Sequence, residues 1–299
     1  MRNRFLTGLA VVVVLLAGVA AYVGWQVDAR RARVWDVPAT PLAADAGLPG
    51  DVHLVARGAH LAQTRGCMDC HTADLGGQAF IDDPMMGHIV AGNLTGGRGG
   101  VLARYDDARL ARAIRHGVRD DGRSLLVMPA IDYFPLGDAD VAALIAYLRQ
   151  LPAVDREFGQ SHLGPLSSAL LVFGGAPWIS AERVDHAALR MVVPEATVSA
   201  GYGRYVAATC LSCHGTNFAG GIVNGPPGTP ASANLTSAGE LRGWSEAQFL
   251  ALMREGRTPA GRQLAPDVMP WPAFAKMSDT ELRALWAYLQ TVPAVAKAG

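Results

Sequence analysis

A five-residue pattern occurs twice in this chain and constrains its fold more than any other feature. The copies are CMDCH at residues 67–71 and CLSCH at residues 210–214, and together they contain all four cysteines. Two thiols one helical turn apart can add to the two vinyl groups of a haem, and the adjacent histidine is then held beneath the iron. Each copy therefore predicts a covalent haem c attachment site, formed by Cys67, Cys70 and His71 and by Cys210, Cys213 and His214.

Three other interpretations of a Cys-x-x-Cys pair fit these motifs less well. A zinc ribbon places its second cysteine pair about 15 to 20 residues after the first, whereas these pairs lie in different halves of the chain. A thioredoxin-like dithiol site belongs to a βαβ setting and needs no following histidine. A chance pair does not explain two complete copies.

The N-terminus predicts a membrane anchor. Arg2 and Arg4 precede an uncharged, apolar run at residues 5–27, which is close to the roughly 20 residues that span a bilayer. The run is long for a secretory h-region, so we favour an uncleaved signal anchor over residues 1–27. Tyr22 and Trp25 are then expected near the outer interface.

Two alternatives to an anchor are open, and charge does not fix its orientation. Small residues at 17–21 resemble a signal-peptidase site, and an apolar helix can also belong to a core, although the extreme N-terminal position argues against that. Arg30, Arg31 and Arg33 compete with the arginines before the run. Haem c is attached outside the bacterial cytoplasmic membrane, so we expect a single-pass inner-membrane protein whose haem domains face the periplasm.

The second half of the chain repeats the first. The paired landmarks are Cys67 with Cys210, Asn93 with Asn234, Met128 with Met269 and Tyr147 with Tyr288, at offsets between 141 and 143 residues. A nearly constant shift of this size predicts two copies of one domain, each with its own haem. The predicted segments are an anchor at 1–27, a linker at 28–50, a first domain at 51–153, an interdomain segment at 154–198 and a second domain at 199–299.

The charged residues indicate neither a nucleic-acid ligand nor a hydrolytic site. The formal net charge is zero, and the basic residues, almost all arginine, form no block. The acidic residues form no paired-carboxylate pattern, and the sequence contains no Ser/His/Asp, phosphate-loop or dinucleotide motif. We therefore predict no catalytic residues and no nucleic-acid partner.

Each copy predicts an opening and a closing helix. The opening helices, at 58–65 and 201–209, contain Gly58 and Gly201, which lie equally far before the first cysteine and suggest close contact with another helix. The closing helices, at 140–150 and 280–290, carry apolar residues at helical spacing. A capping box is predicted from Ser278 to Glu281, and Asp138 is the predicted cap of the first copy.

The interdomain segment has no counterpart in the repeat. Its stretch at 163–178 is apolar but is interrupted by glycines and prolines, so it is too short and too broken to be a second span. We expect it to pack over the domain junction or against a partner subunit, with a membrane-surface contact as a further alternative.

With these landmarks in order, the chain after the anchor resembles the class I cytochrome c family in tandem. The resemblance rests on the attachment motifs, the Asn-Leu-Thr segments, the Met-Pro pairs and the stretches at 115–117 and 254–256, which join an arginine to a glycine. The chain is similar in particular to the membrane-anchored cytochrome c subunits of bacterial dehydrogenases. The resemblance implies an all-α fold after a transmembrane helix, with two covalently bound haem c groups and no appreciable sheet.

The resemblance also implies the axial ligands. His71 and His214 are the proximal ligands of the two irons, and Met128 and Met269, both in Val-Met-Pro, are the distal ligands. A backbone carbonyl orients each histidine ring, and this family often supplies it near the positions of Pro84 and Pro226, with Pro227 and Pro230 as competitors. Prolines also mark turns, and methionine is a common core filler.

Other side chains compete for roles around the first haem. Met85, Met86, His88 and His116 could reach it, but the two histidines have no counterpart in the second copy and are interpreted as surface or propionate-side residues. The Asn-Leu-Thr segments either bind haem propionates or form turns; their polar residues are Asn93, Thr95, Asn234 and Thr236.

An iron with both axial positions filled leaves no open site for a substrate, so the predicted task is single-electron relay. The expected donor is a dehydrogenase or a quinol-oxidising complex, and the expected acceptor is a terminal oxidase or a soluble cytochrome. A diheme peroxidase-like enzyme with one open haem is the alternative, which the Val-Met-Pro in both copies opposes. A haem-based sensor would need a signalling module in addition to the two domains.

Overall fold

The computed structural model describes residues 2–37, 51–223 and 228–295. Most of the predicted linker, at 38–50, lies outside these residues, as do Pro226 and Pro227. The described part of the chain is mostly helical, as predicted, and contains two helical domains that follow one long N-terminal helix.

The N-terminal helix α1 (Arg2–Ala32) continues past the predicted end of the span at residue 27. It is long enough and apolar enough to cross a membrane, with a mean hydropathy of 2.5 over its most apolar stretch. A signal sequence can have the same length and composition. After the helix, Trp35 and Val37 already pack against Val118 of the first domain, so this part of the predicted linker lies on that domain.

The first domain is a series of five helices around the first attachment motif. An opening helix leads into a short helix that carries the motif. After it come a middle helix, a short helix that follows the Met-Pro pair, and a closing helix. They are α2 (Val52–Thr64), α3 (Cys67–His71), α4 (Asp107–His116), α5 (Ala130–Tyr133) and α6 (Asp138–Arg149).

The second domain repeats this series, as the internal repeat predicts. Between the domains lie α7 (Pro165–Phe173) and a 3₁₀ turn at Ser180–Arg183. The helices of the second domain are α8 (Ala200–Val206), α9 (Leu211–His214), α10 (Glu246–Glu255), α11 (Trp271–Phe274) and α12 (Asp279–Leu289), with a 3₁₀ turn at Ala207–Cys210 between α8 and α9.

A glycine lets the opening helix of each domain pack tightly against the closing helix. A Cβ at Gly58 would overlap the carbonyl oxygen of Ala143, and a Cβ at Gly203 would overlap that of Ala284. The sequence prediction named Gly201 as the partner of Gly58, but a Cβ at Gly201 would meet only the Ser199 side chain, at 3.9 Å. The equal spacing to the cysteines was misleading because the first domain contains two more residues between its packing glycine and its first cysteine.

The caps of the two closing helices differ. Ser278 and Glu281 form the predicted capping box at the start of α12. The predicted cap of α6 is wrong, because Gly137 occupies the N-cap position and no side chain caps the helix. Asp138 instead accepts a hydrogen bond from Arg115 at 2.6 Å and lies 3.4 Å from Arg190.

The first domain also contains a small antiparallel sheet that the sequence analysis did not predict. Its strands are β1 (Gln78–Asp83), β2 (Gly87–Ala91) and β3 (His162–Leu163), in the order β1-β2-β3. The turn between β1 and β2 is stabilised by Asp83, whose Oδ1 accepts the backbone N–H groups of Met85 and Met86, each at 2.8 Å. The third strand comes from the interdomain segment, so the sheet attaches that segment to the first domain.

The two domains share one hydrophobic core and contact each other in a reciprocal way. Tyr205 Oη, on α8, donates to Asp140 Oδ2 on α6 at 2.6 Å. His60 Nε2, on α2, lies 2.8 Å from Glu281 Oε2 on α12. Each aromatic residue stands two positions after the packing glycine of its own domain, and each acid lies near the start of the other domain's closing helix. The interface therefore has an approximate two-fold character.

Candidate haem sites

The four motif cysteines are positioned by short helical segments at the ends of the opening helices. Cys67 and Cys70 lie one turn apart on α3, and Cys210 and Cys213 are separated by the same spacing at the junction with α9. All four side chains are half-buried. Burial raises the pKa of Cys67 and Cys210 to about 12, as expected for sulfur in apolar surroundings.

Both motif histidines are held by a backbone carbonyl. Nδ1 of His71 lies 2.7 Å from the carbonyl oxygen of Gly92, and Nδ1 of His214 lies 2.7 Å from that of Ala233. A ring that donates through Nδ1 keeps Nε2 as the atom that can coordinate iron. Burial lowers the pKa of both imidazoles, which favours the neutral form that binds a metal.

The predicted proline carbonyls are wrong. Pro84 lies in the turn between β1 and β2, where the turn geometry accounts for it. In the second domain, the carbonyl of Ala233 orients the His214 ring. The sequence analysis had considered Pro226, Pro227 and Pro230 for this role. Gly92 and Ala233 immediately precede the two Asn-Leu-Thr segments. Their equivalent places in the repeat could therefore have been used to predict these carbonyls.

The Asn-Leu-Thr segments fix these carbonyls by folding into turns. Asn93 Oδ1 accepts the backbone N–H of Thr95 at 2.9 Å, and its Nδ2 donates to the carbonyl of Val154 at 2.7 Å. In the second domain, Asn234 Oδ1 accepts the N–H of Thr236 at 2.9 Å, and its Nδ2 donates to Val295 at 2.8 Å. The asparagines therefore bind the chain that follows each closing helix, which favours the turn interpretation over propionate binding.

The predicted distal ligands occupy equivalent places in the two domains. Met128 and Met269 are half-buried and pack against the shared core. They directly precede Pro129 and Pro270, the N-cap residues of α5 and α11. The residue before Met128, Val127, has a φ of 66°, which is a strained conformation for a β-branched residue. Strain of this kind is often found next to functional groups.

The loops that lead to the two methionines differ in exposure. The first is covered by the interdomain segment: Val127 N–H donates to Trp178 O at 2.8 Å, and Ser180 N–H donates to Leu125 O at 3.1 Å. The second, residues 265–268, is exposed throughout. The loop of the first domain is thus shielded from solvent, and the loop of the second is open.

The competing side chains of the first domain have other partners. Met85 is exposed, and His88 lies 3.1 Å from Asp82 and stacks on His162. The surface interpretation of His116 is wrong, because the residue is buried at the end of α4 with Nδ1 2.9 Å from Nδ1 of His186. Burial, together with His186 and nearby arginines, lowers the pKa of His116 to about 4.

Buried arginine N–H groups fit a cofactor that carries carboxylates. Arg115 is fully buried and donates through Nη2 to Leu136 O at 3.0 Å, but its Nε and Nη1 find no hydrogen-bond partner among the described residues. Arg65 Nε, close to the first attachment motif, is also buried without a hydrogen-bond partner among the described residues. Buried polar groups nearly always have partners, and haem propionates are suitable acceptors.

A contact that the sequence did not reveal joins the two sites. Asp132, on α5 of the first domain, accepts both the backbone N–H and the hydroxyl of Ser212, each at 2.6 Å. Ser212 stands between the two cysteines of the second motif. The segment that follows Met128 in the first domain is therefore hydrogen-bonded to the attachment motif of the second domain. A repeat-based alignment could not predict it, because Asp132 is replaced by an alanine in the second copy.

Sequence comparison decides the family to which these domains belong. The sequence model of cytochrome c matches residues 55–152 and again residues 198–293, more than half of the chain. The chain belongs to the cytochrome c family. This tandem cytochrome c has two pairs of half-buried thiols, and each pair is followed by a histidine whose ring is held by a backbone carbonyl. These groups match the requirements of two covalently bound haem c groups, as predicted.

Relatives of this tandem cytochrome c include subunits of dehydrogenases. The fructose dehydrogenase cytochrome subunit of Gluconobacter japonicus is 28% identical over 284 residues, 88% of this chain and 56% of that subunit. A diheme cytochrome c-type protein of Cereibacter sphaeroides is 26% identical over 284 residues, 84% of this chain and 88% of that protein. The cytochrome c subunit of the quinone alcohol dehydrogenase of Gluconacetobacter polyoxogenes is 37% identical over 103 residues, 32% of this chain and 22% of that subunit. The chain thus spans about half of the first subunit and less than a quarter of the last.

Proposed function

We propose that this chain is a membrane-anchored diheme cytochrome c that relays single electrons from a dehydrogenase or quinol-oxidising partner to a terminal oxidase or soluble cytochrome. The observation that carries the proposal is the pair of attachment motifs, each with its histidine held by a carbonyl, in two domains that share one core. A bound haem c supplies reversible one-electron chemistry at its iron. The protein's part is to fix the ligands and to exclude water.

The axial ligand set proposed for both irons is one histidine and one methionine. His71 and His214 are oriented by their carbonyl partners, and Met128 and Met269 stand in equivalent half-buried positions before Pro129 and Pro270. A thioether ligand stabilises the reduced iron and raises its potential. That property suits a carrier that accepts electrons from a dehydrogenase.

The relatives support a dehydrogenase as the donor. The fructose dehydrogenase and alcohol dehydrogenase relatives are named as cytochrome subunits of those enzymes. The peroxidase alternative is not supported by these relatives. We propose further that α1 is retained as a single-pass anchor in a bacterial inner membrane and that both haem domains face the periplasm.

Optical spectra of the purified protein test the closed ligand set. Both haems should be low-spin, and carbon monoxide or peroxide should leave their spectra unchanged. Replacing Met128 or Met269 by alanine should convert one haem to a high-spin form that binds carbon monoxide, because a protein ligand has been removed. A native haem that binds carbon monoxide and reacts with peroxide would make the protein an enzyme, and substitutions that alter neither haem would refute the methionine ligands.

Copurification tests the donor. Solubilisation of membranes in a mild detergent, followed by isolation of the tagged chain, should yield a dehydrogenase subunit that reduces both haems when its substrate is added. A chain that is reduced only by quinol in such preparations would assign the donor to a quinol-oxidising complex instead.

A further inference from the structure

The helix between the two domains, α7, presents an apolar face away from the protein. Ser167 and Leu171 lie on its buried face. Away from that face, Leu166, Ala169 and Leu170 are half-buried and Phe173 is 64% exposed. The sequence contains no charged residue between 163 and 181. A surface helix of a water-soluble domain carries polar residues on its outer face, so α7 lacks the side chains that would suit it to water.

This helix packs against the domain-side end of α1. Leu171 is buried with Val27 of α1 and Ile179 in one small apolar cluster. Arg30 Nη1 donates to the carbonyl of Leu171 at 2.9 Å and its guanidinium also pairs with Glu182, while the ring of Phe173 lies 6.5 Å from that of Tyr22. The apolar surface of α7 is therefore continuous with the apolar surface of the proposed span.

The position of Tyr22 gives the depth at which Phe173 lies. Tyr22 precedes Asp28, the first charged residue after the apolar run, by six residues, which is about 9 Å along a helix axis. Interfacial helices bury their apolar face about 5 to 10 Å deep, at the boundary between headgroups and acyl chains. Because the ring of Phe173 lies 6.5 Å from that of Tyr22, Phe173 lies within about one helical turn of that depth when α1 spans the bilayer.

We propose that α7 is a second membrane contact, an interfacial helix that inserts Phe173 and its apolar outer face into the leaflet from which the haem domains emerge. The inference rests on the proposed anchor, because α1 sets the position of the bilayer. With α7 embedded and α1 bonded to it through Arg30, the first domain is held against the membrane surface instead of being free on a tether. The partner of this face is the lipid itself.

Site-directed spin labelling of the full-length haem-loaded chain tests the proposal in vesicles of phosphatidylethanolamine and phosphatidylglycerol. The natural cysteines are consumed by haem, so a nitroxide reacts only at an introduced thiol. Phe173→Cys reports on α7, Leu16→Cys reports on the span, and Leu189→Cys, at an apolar residue that is 95% exposed in the same interdomain segment, is the aqueous control. The readout is the collision rate with oxygen relative to a water-soluble nickel complex, each corrected for the rate under nitrogen.

The labels at 16 and 173 should collide severalfold more with oxygen than with nickel, and the label at 189 should show the reverse. A label at 173 that behaves like the one at 189, while the label at 16 is in lipid, refutes the interfacial helix and leaves the anchor intact. A label at 16 that is exposed to nickel refutes the anchor itself. Shielding of residue 173 from both reagents, with spin-spin broadening, would identify a second copy of the chain as the occupant and would also refute the proposal.

Discussion

A single carboxyl group connects the distal segment of the first haem site to the attachment motif of the second. Asp132 is buried and accepts two hydrogen bonds from Ser212. Burial raises the pKa of Asp132 to about 7, against the opposing effect of those two bonds and of nearby arginines. The charge state of Asp132 should therefore change near neutral pH.

The charge state of Asp132 should make stability depend on pH. Its pKa is higher in the folded than in the unfolded protein, so the folded state binds the proton more tightly and the free energy of unfolding falls as pH rises from about 4 to about 7. Asp132→Asn keeps an acceptor and a donor for Ser212 but cannot ionise. The fall in the free energy of unfolding that Asp132 causes should therefore be absent in this variant. Denaturant unfolding at about pH 5 and about pH 8 measures the effect.

The control for Asp132→Asn is Asp121→Asn, at an exposed residue that pairs with Arg119. This variant should retain the pH dependence of the parent protein. If Asp132→Asn loses as much stability between the two pH values as the parent does, the buried carboxyl is not the group that titrates.

Among the elements, the opening helices depend on a single glycine each. A Cβ at Gly203 would overlap the carbonyl of Ala284 on α12, whereas a Cβ at Gly201 has room. Gly203→Ala should therefore reduce the free energy of unfolding by about 1 to 3 kcal/mol through overpacking. Gly201→Ala, in the same helix, should be neutral or should raise it by up to about 1 kcal/mol, because alanine favours helix over glycine. Equal effects in thermal or denaturant unfolding would contradict the close packing.

The elements show how far the sequence could predict this structure. The attachment helices and the order of helices followed from spacing that recurs in both halves, because recurrence distinguishes a shared constraint from chance. The capping box of α12 followed from its own local pattern, from Ser278 to Glu281. The sheet was missed because β1 and β2 are short, alternate weakly and have no counterpart strands among the described residues of the second domain. The true carbonyl partners, Gly92 and Ala233, have no side-chain chemistry to mark them, since their role belongs to the backbone.

The way in which the two domains pack together was the feature least predictable from the sequence. The repeat predicted two domains, but Tyr205 and Asp140 give no indication in the sequence that they bond to each other across the domains. Nor does composition show that the interdomain segment covers the loop before Met128 and leaves the loop before Met269 open. Such contacts depend on how the folded domains dock, and no local pattern records that.

The unequal covering of the two distal loops should appear in ligand kinetics. After Met269→Ala, the opened site lies beside the exposed loop at 265–268, whereas after Met128→Ala it lies beneath Trp178 and Ser180. Carbon monoxide should therefore bind severalfold faster to the reduced Met269→Ala protein. Flash photolysis of the carbon monoxide complexes gives both rates, and indistinguishable rates would mean that the interdomain segment does not limit access.

The reciprocal interface should be weakened by loss of one hydroxyl. Tyr205 Oη donates to Asp140 at 2.6 Å and accepts the backbone N–H of Gly137 at 3.0 Å. Tyr205→Phe leaves both groups with one partner fewer in a buried site, so the free energy of unfolding should fall by about 1 to 3 kcal/mol. Tyr147→Phe is the control, because Tyr147 Oη forms no hydrogen bond to the described residues, and it should be neutral. A neutral Tyr205→Phe would show that water replaces the hydroxyl.

The reciprocity of the domain contacts is of the kind found in symmetric dimers. In a symmetric dimer, residue i of one copy meets residue j of the other and j meets i in return. The contacts of Tyr205 with Asp140 and of His60 with Glu281 follow that rule, although the paired side chains now differ in chemistry. Here one chain supplies both halves, so an interface of this dimer-like kind forms within a single molecule and does not weaken when the protein is diluted.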